Sequence, residues 1–460
     1  MTTLELTTGL GRALRPDQIS STADVLAEHA SDKWHASALA DVVVFPESSA
    51  EVAGIMKLAS ANKVPVYTRA TGTGHTGACV PVHGGILISM MRMNQILEIN
   101  PSDGIAIVQP GVITGELQDA VREQGWYYPP DPASLKECSI GGNIATNAGG
   151  PRCLKYGVTK QYVLGLETVL ASGEILRSGG RCHKNSTGFD LTSLMVGSEG
   201  MLGIVTEITL RLIPHPQTRA MLGASFQDFA AAAAAVQAIL DSGTLPSALE
   251  ITDAFTMAAA RDHLGSENLP PGDAYLMVEI DGNTETLTRE LTTLHGFLLG
   301  CGALRIDEAA DEHACERIWQ LRRDFSYSLK HTGLTKLNED IVVPRSKLVE
   351  LVNFATQLQH DTGIPVACFG HAGDGNIHTN LMVENYDQPD TKKKADAALD
   401  QLFTWVIDNG GVISGEHGIG LAKKPWIRQA LGDTSMTVHH NIKQALDPQN
   451  ILNPGKFLDS

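Results

Sequence analysis

The residue types best able to do chemistry cluster late in the chain. GHAGDGNIHTNLMV, residues 370–383, sets His371 and His378 on either side of Gly373, Asp374, Gly375 and Asn376. Those four are turn formers, through positive φ or side-chain-to-backbone bonding. The residues that follow, His378 to Val383, alternate as a half-buried strand does, which points His378 and Asn380 the same way. A turn here folds His371 back beside His378 and assembles part of a metal site or an acid/base pair. SGEHGIG (414–420) adds Glu416 and His417 between small residues. His371, His378 and Glu416 make a two-histidine, one-carboxylate set that suits Zn, Fe or Mn and leaves positions open for substrate. On spacing alone, satisfied core or surface histidines are the simpler account, because sixteen histidines in 460 residues make chance clusters easy. Upstream, RIWQLRRDFSYSLKHTGLTKLNEDIVVPRSKL (317–348) carries Trp319-x-x-Arg322. The planar fork of a guanidinium suits a carboxylate. Arg323 competes for that role, and two charges on an exposed helix face are the default for such a pair. Ser326, four residues on, shares a helix face with Arg322.

A second chemistry sits in the first half. In ATGTGHTGACVPVHGG (70–85), Gly72, Gly74 and Gly77 spell GxGxxG. A dinucleotide site of the Rossmann kind needs a helix to begin at those glycines. The chain instead runs into Ala78-Cys79-Val80-Pro81-Val82, which is poor helix material. The glycines then read as a loop whose successive backbone N–H groups approach a phosphate, or as a tight turn between strands. CSIGGNIATNAGGPRCLKYGVT (138–159) and GSEGMLGIVTEITLRL (197–212) are also Gly-rich. Several such loops in one α+β region suggest backbone packed along an extended cofactor, which composition does not name.

The elements that must position these residues follow from pattern. A chain of 460 residues is too long for one ordinary core, so two or more domains are expected. Residues 48–62 open with Ser48 and carry Glu51 three residues on, a capping-box helix start, and the strand-like PVYTR (65–69) follows. Residues 219–300 read strand, Ala-rich helix (FAAAAAAVQAIL), strand (SALEIT), helix, strand (AYLMVEID), helix. This is α+β, with strands too short and turns too close for a parallel doubly wound sheet. It would cap the cofactor and set substrate choice. The net charge of −17 argues against nucleic acid or an anionic membrane as partner. No stretch approaches the roughly 20 apolar residues of a membrane span, and MTTLELTTGLGRAL lacks the basic start and apolar run of a secretory signal. Seven scattered cysteines without a CxxC pair suit reduced thiols in cytosol. The plain reading is a soluble, cytoplasmic, multidomain enzyme.

RATGTGHTG (69–77), PPDPAS (129–134), SIGGNIATNAGG (139–150), YGVT (156–159), LETVLASGEI (166–175) and GSEGMLGIVTEITLRL resemble the PCMH-type FAD-binding domain of the vanillyl-alcohol oxidase flavoproteins. Within that superfamily they are similar to the D-lactate dehydrogenases, D-2-hydroxyglutarate dehydrogenases and glycolate oxidase flavoprotein subunits. The likeness runs in order from about residue 37 to ALDPQNILNPGKF (445–457). It implies an N-terminal helical segment (1–36) and an FAD domain of two α+β subdomains (37–216). An antiparallel α+β substrate domain with the metal site (217–420) follows, and a C-terminal segment (421–460) returns to the FAD domain. The first loop would hold the FAD pyrophosphate through Arg69, Thr71, Gly72, Thr73, Gly74, His75, Thr76 and Gly77. Pro130, Asp131, Ser134, Ser139, Gly141, Gly142 and Asn143 would pack against the rest of the cofactor. So would Thr146, Asn147, Gly149, Gly157, Gly200, Gly203, Ile204, Val205 and Asn453. His75 is a departure, because this branch usually has an apolar residue there. Related sugar and polyol oxidases attach FAD covalently through such a histidine; the other reading is a non-bonded polar residue near the flavin ring.

GHxGDGNxH and GEHG are similar to the metal motifs of the D-2-hydroxyacid dehydrogenases, which places the ligands on His371, His378 and Glu416. His417 then matches the catalytic base, Asn380 and Ser326 match substrate contacts, and Arg322 matches the arginine that binds the substrate carboxylate. The hydroxyglutarate enzymes use a lysine where this chain has Asn338, with Lys336 two residues earlier. That departure favours a small substrate over a dicarboxylate. The expectation is FAD-dependent oxidation of a small D-2-hydroxy acid, D-lactate first and glycolate second. A divalent metal (Zn, or Fe or Mn) would polarise the hydroxyl while His417 takes its proton and hydride passes to flavin N5. Electrons would leave to a quinone, a cytochrome, an electron-transfer flavoprotein or oxygen, and a homodimer is compatible. The rivals are a covalent-flavin oxidase of polyols or sugars, a D-2-hydroxyglutarate dehydrogenase, a metal hydrolase using the HHE set, and a protein that only retains FAD.

Overall fold

The computed structural model describes residues 2–265 and 269–458. It separates into two compact units, each assembled from distant pieces of chain. Residues 1–149, 158–215 and 416–460 form the first, and 150–157 with 216–415 form the second.

Among the described residues the first unit holds two larger sheets and a two-stranded one, Trp126–Tyr127 with Ile213–Pro214. Val42–Val44, Ile86–Ser89 and Val66–Arg69 run parallel, with Ile19–Ser20 added antiparallel at one edge. The helix Ser49–Asn62 crosses between two of these strands and buries Val52, Ile55, Met56 and Ala59 against them. Its start shows half of the expected box. The Ser48 hydroxyl accepts from Glu51 N at 3.3 Å, but the Glu51 carboxylate takes the Glu47 amide and Gln18 Nε2 instead. The second sheet is antiparallel, in the order Ile96–Asn100, Ile105–Val108, Ile204–Arg211, Val163–Val169, Ile175–Gly179. No helix begins at Gly72–Gly77: the chain stays irregular from Ala70 to Gly85.

The second unit alternates strands and helices. In order they are β1 (Thr218–Phe226), α1 (Phe229–Asp241), β2 (Ala248–Thr252), α2 (Ala254–Leu264), β3 (Ala274–Gly282), α3 (Thr284–Gly300), β4 (Arg305–Ala309) and α4 (Glu312–Ser328). Then come β5 (Thr335–Val342), α5 (Leu348–Thr362), β6 (Val366–His371), β7 (Asn376–Val383) and α6 (Pro389–Asp408). Asp228, Asp253, Asn283 and Asp311 open α1 to α4, each accepting a hydrogen bond from an amide in the first turn. The seven strands make one antiparallel sheet in the order β4-β1-β3-β2-β6-β7-β5.

Residues directly opposite in an antiparallel ladder share a face, so the register assigns the sheet's chemistry. One face carries Lys336, Asn338 and Asp340 of β5, paired with Met382, Asn380 and His378 of β7. The same face continues through Ala367 and Phe369 of β6, then Glu250 and Thr252 of β2, opposite His371 and Phe369. It continues through Tyr275, Met277 and Glu279 of β3 to Met221 of β1 and Ala309 of β4. α2 and α4 cover the apolar end of this face, where Met257, Ala260, Ile318 and Phe325 pack on Met221, Tyr275 and Met277. The polar residues are thereby gathered towards β2, β6, β7 and β5.

Candidate functional site

The β6–β7 turn brings the two histidines together. β6 ends on His371 and β7 starts at Asn376, its register partner, which sets His371 diagonally from His378 on the same face. The imidazole centroids lie 5.4 Å apart with their planes at 80°. Gly375 makes the turn feasible: its φ is +84°, and a Cβ there would stand 2.1 Å from the Val343 carbonyl oxygen. Asp374 Oδ1 accepts from Asn376 N at 3.2 Å, closing the turn locally.

A residue that no motif identified organises the neighbourhood. Glu250, 1% exposed in the middle of β2, accepts from His371 Nδ1 through Oε1 and from Arg322 Nε and Nη2 through Oε2, at 2.9 and 2.8 Å. Burial alone would raise its pKa, but the adjoining His371 and Arg322 hold it down to about 2. With a metal on Nε2, the bond from Nδ1 to Glu250 would make the carboxylate–histidine arrangement that fixes ring and tautomer. Its only sequence signal is a lone acid in a strand that is otherwise apolar or neutral.

α4 sorts the two arginines. Arg322 turns inward to Glu250, whereas Arg323 bonds Gln320 and Glu316 on the exposed face. Trp319, one turn earlier, donates Nε1 to Glu279 Oε2 at 2.7 Å. Glu279 also accepts from Arg152, Arg219 and Ser247, which ties residues 150–157 to the sheet. Ser326 is half-buried one turn past Arg322.

Asn380 is fully buried, and its Nδ2 donates to the Ala367 and His378 carbonyls at 3.0 and 2.9 Å. Its Oδ1 has no partner, and neither has Asn338 Oδ1 opposite it. Asp340, two residues along β5, accepts from Asn376 Nδ2 at 2.7 Å through one oxygen. The other takes Ser414 Oγ and Gly415 N, both at 3.0 Å. One carboxylate therefore holds the start of β7 and the peptide immediately before Glu416. The donor types of His371, His378 and Glu416 fit a divalent cation.

The first unit carries the glycine loop. Thr71, Gly72, Thr73 and Gly74 donate none of their amide hydrogens to any described residue, while Gly77 N is held by Asp32 Oδ2 at 2.8 Å. A run of unspent backbone donors fits the phosphates of FAD. Gly72 has φ +70°, and a Cβ there would overlap the Arg69 guanidinium. Arg69 itself is engaged, with Ser31 O and with Cys79 Sγ at 3.6 Å. Thr76 O accepts from Leu421 N and Ala422 N, and the His75 ring stacks on His417 with centroids 5.1 Å apart. His417 Nε2 is 3.9 Å from Glu416 Oε1.

The other loops are held by their own polar atoms. Ser139 Oγ accepts from Gly142 N, Gly141 N donates to Pro110 O, Asn143 Nδ2 donates to Thr114, and Asn147 Oδ1 accepts from Lys160 N. Pro130 O accepts from Gln118 and the Ser134 carbonyl from Glu137 and Cys138, while Asp131 is buried. Thr146 ends the short helix Ile140–Thr146, and Gly149 closes the first piece of this unit. Gly157, with φ +80°, caps the helix Cys153–Tyr156 in the second unit. Gly200 has φ +73°, Gly203 sits against Thr168, and Ile204 and Val205 begin a strand. Asn453 Nδ2 donates to Ala78 O and Glu199 O, and the buried Glu199 carboxylate takes Ile419 N and Gly420 N.

Two family models match the chain: an FAD binding domain over residues 40–179 and the C-terminal domain of FAD linked oxidases over 215–457. Glycolate oxidase subunit GlcD of Bacillus subtilis is 38% identical, over 91% of this chain and 88% of that protein. D-lactate dehydrogenase of Archaeoglobus fulgidus is 34% identical, over 91% of each. Among solved structures, p-cresol methylhydroxylase with substrate bound superimposes with a TM-score of 0.83 at 20% identity, over 99% of this chain and 96% of that one. That likeness is one of fold: a PCMH-type FAD-binding domain with an α+β C-terminal domain.

Proposed function

Because the chain belongs to the FAD-linked oxidase family, we propose that it oxidises a small D-2-hydroxy acid to the 2-oxo acid, D-lactate first and glycolate second. The names of its relatives, glycolate oxidase subunit and D-lactate dehydrogenase, support the substrate class. The observation that carries the reading is the Glu250 carboxylate, which orients a candidate metal ligand and a candidate carboxylate-binding arginine from one buried point. FAD supplies a two-electron oxidant, and a divalent metal at His371, His378 and Glu416, zinc before iron or manganese, supplies Lewis-acid polarisation.

The chain's own residues do the rest. Arg322 meets the substrate carboxylate through the part of its fork that Glu250 leaves free, and Ser326 lies on the same helix face. Asn380 is placed as a substrate contact that can only accept, through Oδ1, because its amide nitrogen is spent on two carbonyls. His417 accepts the hydroxyl proton as general base. The test is the anaerobic visible spectrum of the purified protein before and after D-lactate. Bleaching of the flavin bands is expected; bands that persist with D-lactate and with glycolate would sink the substrate assignment. Adding a quinone, a cytochrome, an electron-transfer flavoprotein or oxygen to the bleached sample then identifies the acceptor.

A further inference from the structure

Lys336 lies on β5 on the same sheet face as Asn338 and Asp340. Its Nζ stands 5.8 Å from the centroid of the Phe369 ring, and the Arg322 guanidinium carbon stands 5.0 Å from the same centroid. Two cations thus meet one aromatic ring, but their charges are compensated differently. Arg322 gives Nε and Nη2 to Glu250. Lys336 has no carboxylate partner among the described residues, and the charged groups acting on it are Arg322 and Lys330, both cations. Burial, with those two charges, pushes its pKa down to about 8. A half-buried ammonium without a counter-ion is costly unless something anionic joins it. The buried Asn380 Oδ1 and Asn338 Oδ1, opposite each other on β7 and β5, also lack partners. Cation and orphaned acceptors together describe a site built for a ligand that is both anionic and hydroxylated.

We propose that Lys336 is the residue that neutralises the substrate carboxylate, and that its charge sets the site for a monocarboxylate. This rests on the hydroxy-acid reading above. Glu250 offsets the charge of Arg322, which leaves the Lys336 charge for a single substrate carboxylate. The sequence comparison at Asn338 alone misses this cation, because a two-residue step along a strand returns to the same face. Arg322 then positions the carboxylate through the remainder of its fork, while Lys336 supplies the attraction.

The experiment compares wild type with K336Q, K336R and K336M in two measurements. Anaerobic flavin reduction by D-lactate gives the half-saturating concentration and the limiting rate separately. Calorimetric titration with propionate, which has the carboxylate but no oxidisable hydroxyl, reads anion binding without turnover. In K336Q and K336M the half-saturating D-lactate and the propionate dissociation constant rise roughly 10- to 100-fold, the worth of one charge-assisted hydrogen bond. The limiting rate changes much less, and K336R recovers most of the affinity. Wild-type affinity for both ligands in K336Q or K336M would overturn the proposal. So would a loss confined to D-malate, run as a third ligand in the same reduction assay, which would place Lys336 on a second carboxylate. If D-lactate and glycolate fail to reduce even the wild type, the hydroxy-acid reading falls, and propionate binding in the same variants still decides whether Lys336 holds a carboxylate.

Discussion

At the scale of single residues, the roles proposed for Glu250 and His417 separate holding from reacting. Glu250→Gln keeps the shape of the side chain but removes the charge shared by His371 and Arg322. Losing such an orienting carboxylate typically costs 10- to 100-fold in metal affinity. We expect metal to be lost at about that much lower chelator concentration, with flavin content unchanged; wild-type metal retention would remove Glu250 from this role. His417→Ala should do the converse. Flavin and metal stay bound, while the rate of flavin reduction falls on the order of 100- to 10,000-fold, the range of a general base. Unchanged reduction in a stopped-flow experiment would free His417 of the assignment. The histidines were legible in the sequence because turn formers and strand alternation are local signals. Glu250 was not, because it reaches His371 across 121 positions of chain.

At the scale of elements, β3 and α4 are joined through Glu279, which also anchors the 150–157 segment through Arg152. Burial would raise this carboxyl, but Arg152 and Arg219, with the Trp319 indole, hold its pKa down to about 2. A depressed carboxylate stabilises the fold fully above its ordinary value near 4.5, and the contribution is lost as pH falls towards 2. Breaking a buried pair of this kind costs roughly 3–5 kcal/mol. Glu279→Gln should therefore lower the unfolding temperature at pH 7 and flatten the pH dependence of stability between about 4.5 and 2. A variant with the wild-type acid limb would show that the network adds nothing. The order of strands and helices over 219–300 was readable from period and turn residues, with Asp228, Asp253 and Asn283 opening the helices. The capping box at Ser48 was half right because Glu51 is drawn to partners outside the helix.

At the scale of the whole molecule, each unit is closed by chain that returns from far away. The C-terminal segment does this for the glycine loop: Asn453 donates to Ala78 O at 3.0 Å and Glu199 O at 2.6 Å, and the buried Lys456 donates to Val80 O at 2.6 Å. Leu452 pairs in parallel with Val66, at the strand that leads into the loop. Pattern alone does not reveal such pairings, since nothing local in ILNPGKF specifies a partner some 375 residues earlier; only the family likeness of the segment suggested its return. The physical consequence is that the unspent amides of Thr71 to Gly74 are held in place from the far end of the chain. Asn453→Ala removes a hydrogen bond to the buried Glu199 carbonyl, about 1–3 kcal/mol if left unsatisfied, and a second to the part-buried Ala78 carbonyl. The variant should fold, bind FAD more weakly, and emerge from gel filtration with a lower ratio of 450 to 280 nm absorbance that excess FAD restores. Glu250→Gln serves as the control, because its side chain lies in the second unit and should leave that ratio alone. An Asn453→Ala protein with full flavin content and wild-type melting temperature would mean that the glycine loop holds its shape without the returning segment.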